Sequence, residues 1–257
     1  SSGYSIGNSG AFNESSQTYV AWCWKAGGAA VTNTDGTITS QVSANQTAGF
    51  SIVSYTGTGA NATVGHGLGK TPKMVIVKNR DSALNWIIWH IAIAGNQYLR
   101  FATNAVTNLG TVWNSSTPTS SIINLGSSIG TNESTSTFIA YCWAEIEGYS
   151  KFGSYIGNAS TDGPFVYTGG KPALVMYKRT DTTGDWAILD SSRQSTNPLD
   201  LRLFANNTNI DTTGVTSFDF LSNGFKIRDS AGSINASGGT YIFACFMESP
   251  FTTANAK

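Results

Sequence analysis

Charge is scarce in this chain. Among 257 residues, 15 Lys and Arg balance 15 Asp and Glu, about half the charged fraction of an average soluble protein. A neutral, weakly charged surface has no electrostatic footprint for nucleic acid or an anionic membrane. Long apolar runs are missing too. The longest, residues 86–94, is interrupted by His90 and is far shorter than a membrane-spanning helix requires. No charged-then-apolar leader opens the chain. The first residue is Ser1 rather than methionine, so we expect a piece of a longer polypeptide.

Cysteine is limited to Cys23, Cys142 and Cys245, without zinc-ligand spacing. Each stands fifth in a repeated strand-like segment: Tyr19-Val-Ala-Trp-Cys-Trp-Lys25, Phe138-Ile-Ala-Tyr-Cys-Trp-Ala144 and Tyr241-Ile-Phe-Ala-Cys-Phe-Met247. Equivalent positions in separate modules are too far apart for disulfides, so the cysteines read as small buried side chains. Both alternating sets of residues in these segments are largely apolar. Such a strand belongs inside a sheet covered on both faces.

What the chain has in quantity is Gly, Ser, Thr and Asn between short runs of Val, Ile, Tyr, Trp and Phe. Helical periodicity is lacking. A regular offset joins two stretches: Tyr55 with Tyr155, Pro72 with Pro172, Lys78 with Lys178, Asp81 with Asp181 and Trp86 with Trp186. The offset then drifts to 103, pairing Cys142 with Cys245. This predicts an all-β protein of tandem antiparallel β-sandwich, jelly-roll-like modules. Residues 1–28 read as terminal strands of a truncated upstream repeat, 29–48 as a linker or hairpin, 49–149 as the first module and 150–257 as the second.

Candidate chemistry is sparse. Glu145 and Glu147, at i and i+2, would share a strand face about 6.5 Å apart, near the spacing glycosidases use. The matching positions in the other copies do not keep the pair, so we assign no catalytic residue. His66 and His90 stand beside no nucleophile motif. The glycines of Val64-Gly-His-Gly-Leu-Gly69 precede a strand, so they mark a turn rather than a phosphate loop. The turns at 78–86 and 178–186 are the most charged stretches and recur in both modules. Arg80, Asp81 and Trp86, with Arg179, Asp181 and Trp186, could hold a sugar by stacking and hydroxyl hydrogen bonds. The structural alternative is that each Asp caps a turn and each Trp begins a buried strand. No metal or cofactor site is expected.

The residues of 19–28, Ala48-Gly-Phe-Ser-Ile-Val-Ser-Tyr-Thr-Gly-Thr-Gly59, Gly65-His-Gly-Leu-Gly69, Val75-Ile-Val-Lys-Asn-Arg-Asp81, Glu145-Ile-Glu-Gly-Tyr-Ser-Lys-Phe-Gly-Ser-Tyr155 and Gly238-Gly-Thr-Tyr-Ile242 resemble a family of repeat proteins encoded by marine tailed bacteriophages. That resemblance implies a tail-fibre or surface-appendage protein on the virion. Its expected partners are other virion proteins, further copies of itself (a trimer) and a host surface glycan. It implies neither nucleic-acid binding nor membrane insertion. A laminin-G or concanavalin-A-like module commonly precedes such repeats and is not present in this sequence. A lectin-like module is the alternative reading, and a polysaccharide depolymerase a more distant one.

Overall fold

The computed structural model describes residues 5–211, 213 and 217–249. Almost all regular structure in it is strand, organised in antiparallel sheets. Three helices, α1 (Gly10–Asn13), α2 (Ile129–Asn132) and α3 (Gly232–Asn235), are one turn each.

The first module comprises β1 (Val31–Asn33), β2 (Ser40–Asn45), β3 (Phe50–Thr56), β4 (Ala62–Gly65), β5 (Pro72–Asn79), β6 (Ile87–His90), β7 (Gln97–Arg100), β8 (Thr107–Asn108), β9 (Ile122–Leu125) and β10 (Thr137–Ala144). Its large sheet has the order β1-β2-β3-β10-β5-β6-β7-β8, and β4 pairs with β9 in a second layer. The 29–48 region therefore supplies a hairpin that is part of the sheet. The second module comprises β11 (Ser150–Ile156), β12 (Phe165–Tyr167), β13 (Pro172–Arg179), β14 (Trp186–Asp190), β15 (Leu203–Phe204), β16 (Phe218–Leu221), β17 (Gly224–Ile227) and β18 (Thr240–Met247). Its sheets run β11-β18-β13-β14-β15 and β12-β17-β16.

The repeated segment forms the central strand in each module. β10 lies between β3 and β5, and β18 between β11 and β13. Phe138, Ala140 and Cys142 align with Tyr55, Val53 and Ser51 on one side and with Asn79, Val77 and Val75 on the other. That face closes on the module's own second layer. The opposite face, with Tyr141 and Trp143, meets the outer face of the second module's large sheet, where Phe152, Ile242 and Ala244 join the same core. Tyr241, Phe243 and Cys245 turn the other way, into the second module's own core. Double-sided apolarity thus makes four stacked layers: small sheet, large sheet, large sheet, small sheet.

Repetition extends to details. Pro72 and Pro172 each open a strand whose register against the central strand shifts at that point, where the missing proline N–H leaves no ladder bond to lose. Tyr55 and Tyr155 donate through Oη to the Thr131 and Ile234 carbonyls at 2.6 and 2.9 Å. Asn132 and Asn235 are fully buried. Each accepts a backbone N–H, from Thr58 and Asn158, and donates to nearby carbonyls. Such satisfied amides brace a loop without leaving buried polar groups orphaned.

The first copy of the repeated segment behaves differently. Residues 19–25 join no sheet among the described residues, and Cys23 is exposed, whereas Cys142 and Cys245 are buried. The expectation of a third buried central strand is therefore corrected. The residues preceding it form one helical turn, a turn and bends, so among the described residues no strand precedes it. Burial pushes the Cys142 thiol up to about 12 and Cys245 higher still, the behaviour of inert core side chains.

The modules are tied together by hydrogen bonds as well as by the core. Trp186 Nε1 donates to the Arg100 carbonyl at 2.6 Å, and Val106 and Gly184 N–H groups bond the Thr180 and Thr103 carbonyls. His90 Nδ1 accepts from Ala92 N–H, so Nε2 carries the proton and donates to the Phe243 carbonyl at 3.1 Å. Burial pushes the His90 pKa down from 6.5 to about 4, opposed by that hydrogen bond. Between those values the unfolded chain binds a proton that the folded chain refuses. Stability is therefore intact above about pH 6.5 and declines as pH falls toward 4. Denaturant unfolding at pH 5 should show about 2 kcal/mol less stability than at pH 7 from this group. His90→Gln should flatten that pH dependence, and an unchanged slope would contradict the assignment.

Candidate functional site

The two charged turns take different roles. In the first module Asp81 accepts from Thr137 N–H at 2.6 Å and Thr137 Oγ1 at 3.0 Å, capping the start of β10. Those bonds hold its carboxyl below the usual carboxylate range. Arg80 is exposed. Trp86 is 36% exposed, stacks with Tyr141 and meets Phe101 edge-on. In the second module Asp181 forms a bidentate pair with Arg179, at 2.8 and 3.0 Å, and also accepts from Thr240 N–H at the start of β18. Arg179 donates further to the Gly232 carbonyl and lies over the Tyr241 ring. Trp186 is buried between the modules. Each Asp therefore caps the start of its module's central strand, while the first turn itself is capped by Asn79, whose Oδ1 accepts from Asp81 and Ser82 N–H. Trp186 begins a buried strand, while Trp86 stays at the surface.

Lys178 is fully buried and Lys78 only partly. Lys178 Nζ donates to the Gly184 and Thr103 carbonyls and stands over the Trp186 ring. Burial lowers its pKa to about 8, with Asp185 opposing the shift. Its carbonyl partners lie in the turn and in the first module, so it locks the turn against its neighbour.

The carboxylate pair loses its geometric premise. Both glutamates lie beyond the end of β10. Glu145 pairs with Lys151 at 2.7 Å and accepts from Phe152 N–H, and Glu147 is exposed in the following turn. His66 is buried, with Nδ1 accepting from Leu68 N–H and Nε2 donating to the Thr119 carbonyl. It is a turn-bracing residue. Burial lowers its pKa. No group of three or more His, Cys, Asp or Glu side chains suited to a metal occurs among the described residues.

One concave feature of the molecule is an apolar cleft of about 390 Å³ between the two large sheets, lined by Met74, Trp143, Phe152 and Phe246 with Trp22 and Trp24 from the N-terminal segment. A second hollow of about 300 Å³ shares Trp24 and Trp143 and reaches Trp86. Such volumes and linings suit apolar groups, and the cleft offers no acid or base for chemistry. Trp143 Nε1 is buried without a hydrogen-bond partner among the described residues.

Residues 21–26 alternate between exposed and half-buried, so Trp22, Trp24 and Ala26 face the body. Trp22 Nε1 donates to Asp190 at 3.3 Å. Arg193, paired with Asp190 at 2.6 Å, covers the Trp22 ring. Trp24 packs edge-on against Trp143 and Phe246, with centroids at 5.9 and 5.3 Å. Further on, Asn45 and Ser43 side chains donate to the Lys25 and Gly28 carbonyls. Gly27 lies so close to β2 that a Cβ would stand 2.1 Å from the Ala44 carbonyl oxygen. The segment is a strap crossing both modules. Its Trp-x-Trp alternation was visible in the sequence, but its destination was not.

A family model described as a domain of unknown function, DUF7483, matches residues 1–250. The chain belongs to the DUF7483 family. The matched span takes in the strap together with both modules, as one unit. No curated protein and no solved structure matches the chain.

Trp24→Ala should remove the aromatic contacts at the cleft mouth and destabilise the fold by about 1–3 kcal/mol. Arg80→Ala, on an exposed turn, should change stability by less than about 0.5 kcal/mol. Urea unfolding followed by far-ultraviolet circular dichroism measures both.

Proposed function

We propose that this DUF7483 chain is a structural and adhesion segment of a bacteriophage virion, a rigid spacer in a tail fibre or surface appendage whose loops meet the host. The observation that carries this reading is the shared core. Two sandwiches joined face to face through Trp143, Phe152, Ile242 and Ala244 have no hinge between them, and a spacer needs stiffness. The resemblance to marine phage repeat proteins supplies the setting: the virion surface, with other virion proteins and further copies of the chain as partners. Polar loops on a stiff scaffold can vary without disturbing packing.

The lectin-like alternative rests on the first module. Only there do an exposed arginine and a partly exposed tryptophan, Arg80 and Trp86, remain at the surface of the charged turn. Arg179 and Asp181 are paired with each other, and Trp186 is buried between the modules. A depolymerase reading has less support, because Glu145 is held by Lys151.

Two measurements test the proposal. Antibody raised against the chain should label tail appendages on particles of the phage that encodes it, and particles without label would refute the virion reading. The intact protein should also be screened on arrays of bacterial surface polysaccharide, with reducing ends assayed in the same wells. The expected result is absence of cleavage. Glycan binding abolished in Trp86→Ala would select the lectin site, and released reducing ends would overturn the non-enzymatic reading.

A further inference from the structure

The two large sheets do not fill the space between them. At the fourth place of the repeated segment stand Trp22, Tyr141 and Ala244. β10 carries a ring there, whereas β18 carries a single methyl group, and Ala244 lines the cleft between the sheets. Met74 of β5 lines it from the first module and Phe152 of β11 from the second. All three are almost wholly buried. Protein interiors are close-packed, and a hollow of about 390 Å³ among buried side chains departs from that rule.

The lining decides what can enter. Among the described residues no Lys, Arg, His, Asp or Glu lines the cleft. The charges that touch Trp22, Asp190 and Arg193, are paired with each other. An ion placed inside would lose its water without gaining a partner, and a peptide or a sugar would leave amides or hydroxyls unbonded. Water is a poor occupant for the same reason. An apolar cavity of about 150 Å³ stays dry and takes up benzene, and this cleft, at about 390 Å³, has more than twice that volume. At the rim, half-buried Asn207 and exposed Thr208 and Asn209 supply polar groups without charge.

We propose that the cleft binds a neutral amphiphile. Its hydrocarbon body, roughly ten to fifteen carbon atoms when scaled from benzene in the smaller cavity, lies between the sheets. Its one uncharged polar end lies at residues 207–209. Met74 and Met176, unbranched and adaptable, let the lining follow the ligand. The occupant touches both modules and the indoles of the strap, whose backbone has no ladder to hold it. Ligand binding and strap docking therefore stabilise each other. The site stands whether or not the chain serves a virion.

The test titrates N-phenyl-1-naphthylamine, a neutral dye that brightens in apolar surroundings, into the whole chain. Saturable brightening at one site per chain is expected, and 1-decanol should displace the dye. Decanoate at about pH 8, where its carboxyl is ionised, should compete at least about tenfold more weakly. Ala244→Tyr restores the ring that β10 carries, and Ala205→Trp fills the rim at an exposed position. Each should weaken dye binding by about tenfold or more with an unaltered circular dichroism spectrum. If Ala244→Tyr does not fold, Ala205→Trp alone decides. Three results would each overturn the proposal: no saturable brightening, decanoate competing as well as decanol, or undiminished brightening in the folded variants, which would place the dye on an exposed apolar patch.

Discussion

Covering both faces of one strand is the constraint on which the molecule depends. β10 and β18 each have ladder partners on both sides and apolar side chains pointing both ways. A sandwich can cover only one face of its large sheet from within. The other face must find apolar cover elsewhere, and each module's outer face finds it in the other. Because side chains alternate, a one-residue slip would exchange the two faces and mismatch both interfaces together. Register, stacking and the rigid join between modules therefore follow from a single requirement.

That join also explains why matched residues have diverged in role. Trp86 and Trp186 occupy corresponding turns, yet Trp186 is buried against the first module, whereas Trp86 remains at the rim of the second hollow. Lys178 is buried for the same reason, its ammonium group bonding carbonyls on both sides of the join. His90 belongs to the same boundary, reaching from the end of β6 to the backbone of β18. Two modules facing each other are not equivalent environments once a strap and connecting segments run over one side.

The strap is the cost of a third copy without flanking strands. Its backbone has no ladder, so it is held by side chains: indoles inserted toward the body and polar groups of β2 grasping its carbonyls. The contrast with β10 and β18 shows how weakly a six- or seven-residue motif dictates its own environment. Strand formation needs neighbours, and neighbours come from chain outside the motif.

By itself the sequence determined the all-β class, the two repeated modules, the central position of the Cys-containing strands at 138–144 and 241–247, and their burial on both faces. These are properties of local alternation and of repetition, which any one stretch of chain displays. Asp81 and Asp181, read from the sequence as turn caps, instead bond the starts of β10 and β18, contacts more than fifty residues away that no local pattern records. Only the tertiary structure decided that the doubly apolar faces meet each other, that residues 19–25 become a strap, that Glu145 and Glu147 lie past the strand end, and that Trp186 is internal while Trp86 is not. Each of these depends on which distant segment arrives as a neighbour, and alternation along a strand carries no record of what will pack against it.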